Sequence, residues 1–346
     1  MKKMVCVLLA VLVLAGGATA FAVDGNSGKE TVIPYYDIGV TVTMPPAYRE
    51  VIGNIYTDNY GMLTDDPELR VLEYSYSSLP KETFRKEIID LQTGTRDREE
   101  KKEFWDAWGP LAMVFSIKNG DLDYAGAILS IVDSQIALDA EHVTELGTAD
   151  DYHFYLYLGD TGAYAGTLDE EHAKDYAAAR EMIKEAYLSA EYYAPADPMK
   201  AMVGTTLAFE TKDLDGSTVT SEELFGGNEI TMVHVWATWN DACKEELKEL
   251  AEINGRLQEK GCGIVGVVTD GVIDPEAAKS LVKENGLEYP NVCESEDMYV
   301  LLSIKTVPTT VFVDRNGVIL GEPIIGAAAG EYEKTADALL AAQGQS

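Results

Sequence analysis

The stretch Val233-His234-Val235-Trp236-Ala237-Thr238-Trp239-Asn240-Asp241-Ala242-Cys243 constrains the fold more than any other. An apolar run enters a turn flanked by two tryptophans. A cysteine and the charged amphipathic run Lys244-Glu245-Glu246-Leu247-Lys248-Glu249-Leu250 follow. That order reads as a buried strand over Ile230–Trp236, a short loop, and a helix from Cys243 to Lys260 with a thiol in its first turn. The free N–H groups and dipole of a helix N-terminus favour negative charge, so a thiolate is expected there. The spacing is that of a C-x-x-C dithiol site, but Asn240 holds the first cysteine position.

A chain of 346 residues suggests two domains, each long enough to bury a core. The formal net charge is -32. No lysine- or arginine-rich stripe interrupts that acidity, so nucleic acid and anionic membrane surfaces are not expected partners. Residues 1–22 read as a secretory signal: Lys2 and Lys3, an apolar run from Val5 to Leu14, then small residues at Ala18-Thr19-Ala20 and Ala20-Phe21-Ala22. A retained anchor is the alternative, although the run is short for a bilayer span. Cys6 lies inside the apolar run, away from any cleavage point. Removing the signal leaves 25 basic against 59 acidic residues, or -34, and three cysteines, Cys243, Cys262 and Cys293. An odd number in an oxidising compartment leaves at least one thiol unpaired or paired between chains. The mature protein is expected to be soluble and extracytoplasmic.

Residues 23–30 are polar and glycine-containing, a flexible lead. Ile38–Met44 and Arg70–Ser77 alternate as strands, and Pro80–Leu91 has helical spacing. Leu111–Ile117 and Tyr152–Leu158 read as further strands, with Tyr124–Ala140 helical between them. Leu168–Ser189 reads as a long helix opening on Asp169, Glu170 and Glu171. The sum is an α+β domain over 31–194, faintly PsbP-like in pattern alone. Its aromatic residues Trp105, Trp108, Tyr152, Phe154, Tyr155 and Tyr157 could line a groove, though core packing is the simpler expectation. Pro195 and Pro198 mark a linker at 195–199.

Beyond the linker, Asp215-Gly216 joins two short strands as a hairpin. Gly263–Thr269 is a buried strand, Pro275–Asn285 a helix ended by Gly286, and Thr309–Val313 a strand turned by Asn316-Gly317 into Val318–Leu320. Glu331–Ala342 closes as a helix. Strands alternating with helices and then a hairpin give an α/β mixed sheet covered on both faces.

Residues 200–343 resemble the TlpA/ResA-like extracytoplasmic branch of the thioredoxin-like fold. Trp236-Ala237-Thr238-Trp239-x-x-x-Cys243 matches that branch's W-A-T-W-C-x-x-C except at Asn240. Thr306-Val307-Pro308-Thr309-Thr310-Val311-Phe312-Val313-Asp314-Arg315-Asn316-Gly317 matches its V-P-T-T-x-x-x-D-x-x-G, and Pro275–Ser303 matches its inserted helix-strand-helix. The resemblance implies thiol–disulfide exchange with secreted proteins or small thiols, fed by a membrane-linked electron donor. His142, His153, His172 and His234 share no ligand spacing, and Asp213-x-Asp215-Gly216 and Asp121-x-Asp123 lack the further acids of a calcium loop, so no metal is expected, and no cofactor. The resemblance makes Pro308 a cis-proline facing the active turn, where Trp239, Val307 and Pro308 would hold an extended substrate.

That cycle needs two thiols: one attacks a substrate disulfide as thiolate and the other resolves the mixed disulfide. An amide does neither, so Asn240 limits the site to monothiol chemistry at Cys243, or to binding without turnover. His234 lies six residues before Asn240, where thioredoxins place a buried acid. It is a candidate base for Cys243, or else a hydrogen-bonded core residue. Cys293 is a candidate second thiol; Cys262 should sit at the far end of the sheet. A peroxidase reading fits poorly. Trp236 stands where peroxiredoxins have proline, and Lys305, Thr306 and Val307 stand near where they have arginine.

Overall fold

The computed structural model describes residues 30–59, 68–80, 83–84, 86–87, 102–132, 138, 140–159, 162–295, 298, 301–302 and 306–343. The signal, most of the lead, and parts of the helices expected at Pro80–Leu91 and Tyr124–Ala140 lie outside them. The chain divides into two compact units between Asp197 and Pro198.

Among the described residues the first unit holds two antiparallel sheets. One has the order β1-β2-β8, formed by Thr31–Tyr35, Val40–Met44 and Glu191–Tyr192. Pro34 sits in β1, an edge strand, where its missing N–H breaks no ladder between two neighbours. Strand β2 starts at Val40 rather than Ile38, because Gly39 turns the chain at φ +85°. The other sheet has the order β3-β4-β5-β7-β6, from Ile55–Asn59, Leu69–Ser77, Trp108–Lys118, Tyr152–Tyr157 and Val143–Ala149. Helix α1 (Leu122–Val132) follows β5, and α2 (Glu170–Leu188) follows β7. Asp169 caps α2 by accepting from the His172 N–H at 2.9 Å. The aromatic residues chiefly pack inward: Phe154, Tyr155 and Trp108 are buried, and Trp105 stacks on Trp108 at 5.8 Å.

In the second unit Glu210–Lys212 (β9) and Thr218–Thr220 (β10) form the expected hairpin. Five strands then make a mixed sheet, ordered β13-β12-β11-β14-β15. They are Ile230–Trp236 (β11), Cys262–Val268 (β12), Asn291–Cys293 (β13), Thr309–Asp314 (β14) and Ile324–Ile325 (β15). The first three run parallel and the last two antiparallel to their neighbours. All seven β11 residues are buried, so both faces of the centre are covered. Helices α3 (Asp241–Gln258), α4 (Pro275–Asn285) and α5 (Ala329–Gln343) carry side chains into one shared core with Met232, Trp236, Ile264 and Phe312. Helix α3 buries Cys243, Leu247, Leu250, Ile253 and Leu257, a helical stripe. Each fully buried leucine there contributes about 1.5–3 kcal/mol. Among the described residues no helix is long and apolar enough to cross a membrane.

Candidate functional site

The parallel strands β11, β12 and β13 end together, and the loops after such carboxyl ends are where ligands of α/β sheets bind. Trp236 ends β11. Its indole N–H donates to Asn291 Oδ1 at 3.2 Å, beside Gly266, where a Cβ would lie 2.1 Å from that oxygen. After β12, Asp270 accepts from the Thr238 N–H at 3.0 Å and from the Thr238 hydroxyl. This ties the tryptophan-flanked turn to the sheet. Burial raises the Asp270 carboxyl above its ordinary range.

Asn240 is the N-cap of α3, in extended backbone. Its Oδ1 accepts from the Cys243 N–H at 3.1 Å, and its Nδ2 donates to the Val307 carbonyl, also at 3.1 Å. The Val307–Pro308 bond is cis, as the resemblance implies. Trp239 and Val307 are half-buried and Pro308 is buried. Asn240, Cys243, Val307 and Pro308 are therefore brought to one place.

Cys243 departs from the thiolate expected at a helix start. It is 0 % exposed, and burial pushes its thiol up to about 12. Backbone N–H groups near the sulfur favour its ionisation, with Glu246 and Asp270 opposing them. Desolvation wins because a charge buried in apolar surroundings loses more than a helix terminus returns.

His234 Nδ1 meets Thr310 Oγ1 at 2.9 Å, and Nε2 faces Glu246 Oε2 at 3.8 Å. Burial lowers the imidazole to about 3, so it is neutral at ordinary pH. Its ring nitrogens are thus turned to a hydroxyl and a carboxyl. Glu246 is buried and its pKa is raised for that reason; Oε1 accepts from the Ala328 N–H at 2.6 Å, just before α5. Sequence reasoning did not single out Glu246, Thr310 or Asp270. The signal for Glu246 was its place, three residues after Cys243 on the apolar stripe of α3.

Cys293 ends β13 and is buried, its thiol pushed to about 11. Its carbonyl accepts from Thr211 Oγ1 at 2.7 Å. The next residue, Glu294, is also buried and raised to about 8, by burial and then by Asp270. Cys262 pairs with Ile230 at the opposite end of the sheet from Trp236. Cys243, Cys262 and Cys293 are all free thiols.

Residues 203–321 match the AhpC/TSA family. The thiol-disulfide oxidoreductase ResA of Oceanobacillus iheyensis is 34 % identical over 116 residues, covering 32 % of this chain and 55 % of that protein. The chain thus spans little more than half the length of this relative. ResA of Bacillus cereus is 27 % identical over 133 residues, 38 % of this chain and 74 % of that protein. The second unit has a thioredoxin fold and is similar to the TlpA/ResA-like proteins. Among solved structures, StoA from Bacillus subtilis is 22 % identical, with a TM-score of 0.33, over 39 % of this chain and 98 % of that one. The thioredoxin domain of a thiol-disulfide oxidoreductase from Bacteroides vulgatus is 24 % identical, with a TM-score of 0.34, over 39 % of this chain and 97 % of that one.

Proposed function

We propose that this is an extracytoplasmic protein whose TlpA/ResA-like domain binds extended polypeptides beside Pro308 without turning over disulfides. The observation that carries the reading is Cys243: wholly buried, its thiol pushed to about 12, with the Asn240 amide in the position of the attacking thiol. A dithiol cycle needs an exposed thiolate first and a resolving thiol second; in this turn the first role has no candidate, and Cys243, at the second, is buried. The features of the frame that serve binding are retained: the half-buried Trp239 and the cis Val307–Pro308 segment. The extracytoplasmic location rests on the pattern of residues 1–22, and the partners are secreted proteins. Monothiol exchange at Cys243 is the second reading, favoured by the backbone N–H groups around its sulfur.

Fluorescence polarisation with a labelled, permanently unfolded carboxymethylated polypeptide tests the binding claim. Saturable binding is expected, unchanged by Cys243→Ser and weakened by Trp239→Ala. Absence of binding, or binding indifferent to Trp239→Ala, overturns it.

A further inference from the structure

The two ends of the Asn240 amide do two different things. The oxygen caps α3 at Cys243, a job that serine, threonine or aspartate does equally well. The nitrogen reaches across to the Val307 carbonyl, which serine and aspartate cannot do, because one is too short and the other has no donor. Reversing the amide would set its oxygen against a carbonyl and its N–H₂ against an N–H, so both contacts fix its orientation. An N-cap side chain folds over the first turn of its helix, and the side chain at N3 there is that of Cys243, 0 % exposed.

We infer that Asn240 is a positioning residue that clips the start of α3 to the cis-proline segment, holding the site shut. With the clip closed, the Val307 carbonyl is occupied by a side chain of the same domain, and Cys243 lies behind the bridge. The Pro308 carbonyl is occupied as well, by the Gly326 N–H at 2.8 Å. An extended ligand that pairs its backbone with Val307 must first displace the Asn240 N–H₂. The clip is a property of the resting chain, whatever ligand the site takes.

Two variants separate the clip from the cap. Asn240→Asp has the same shape and keeps the acceptor for the Cys243 N–H, but loses the donor to Val307. Removing one such bond should raise the open population about two- to tenfold. Hydrogen exchange read by mass spectrometry should therefore quicken by that factor over residues 306–311 and stay constant over β12. Asn240→Ser also keeps a capping oxygen and shortens the side chain. Its Cys243 should react with dithiodipyridine at least twofold faster than in the parent (at about the scale of one lost hydrogen bond), with Cys262 unchanged. Unchanged exchange over 306–311 in Asn240→Asp overturns the inference, and so does an unchanged Cys243 rate in Asn240→Ser. Parallel changes at Cys262 in either variant would show general loosening of the domain and would also overturn it.

Discussion

Consider lowering the pH from about 8 to about 5. His234 has an ordinary value of 6.5 when the chain is unfolded and about 3 in the folded domain, where burial disfavours its charge. Between those values the unfolded chain binds a proton that the folded chain does not, so stability falls as the pH falls through that window. By pH 5 the folding equilibrium has shifted towards the unfolded chain by a factor of about 30, which is about 2 kcal/mol. Near pH 3, where the folded histidine is itself half-protonated, the loss reaches about 4 kcal/mol. The raised Glu246 carboxyl works in the opposite sense: the folded state holds its proton more tightly, so that group disfavours folding as pH rises. Asp270 and Glu294 act in the same direction as Glu246. A comparison within one variant isolates the histidine. His234→Asn keeps an acceptor for the Thr310 hydroxyl and leaves the carboxyls in place. The assay is modification of Cys262 with dithiodipyridine across a urea series, mapped by peptide mass. Cys262 is buried in β12 and reports opening of the second unit. The parent should lose about 2 kcal/mol more than the variant between pH 8 and pH 5. Equal losses, or a parent that resists acid better than the variant, would refute the reasoning. The latter would mean that His234 and Glu246 form a buried ion pair on acidification.

Leu250→Ala empties a fully buried position on α3 and should cost about 2–5 kcal/mol, read as a lower urea midpoint for Cys262 modification. Gly266→Ala drives a methyl to 2.1 Å from Asn291 Oδ1 and displaces the Trp236 contact; a loss of about 1–3 kcal/mol is expected in the same assay. Asn240→Cys restores the C-x-x-C spacing. After oxidation a 240–243 disulfide should appear by peptide mass, and insulin reduction should rise above that of the parent; no disulfide would mean the turn geometry has drifted.

Much of the second unit was legible in the sequence because its signals are local and redundant. The apolar run of β11, the proline-started helix at Pro275, and the Asp215-Gly216 and Asn316-Gly317 turns each specify an element alone. The first unit was less legible. Strand β6 is polar and half-exposed, and β1 carries Pro34, a residue that a strand holds only at a sheet edge, which no local pattern reveals. At the site, the residue types could be read but their balance could not. A cysteine at a helix start invites a thiolate, and only the packing of α3 against the sheet shows that desolvation prevails. The Asn240–Val307 contact joins residues 67 apart in sequence, beyond any spacing rule. His234 was found by its position, but its partners Thr310 and Glu246 come from other elements.

The most direct test of the central claim is insulin reduction in the presence of dithiothreitol, with the parent protein beside Cys243→Ser. Burial of the thiol and the amide at position 240 predict equal rates for the two, both at the uncatalysed level. A parent rate above that of Cys243→Ser would contradict the account and establish thiol chemistry at Cys243.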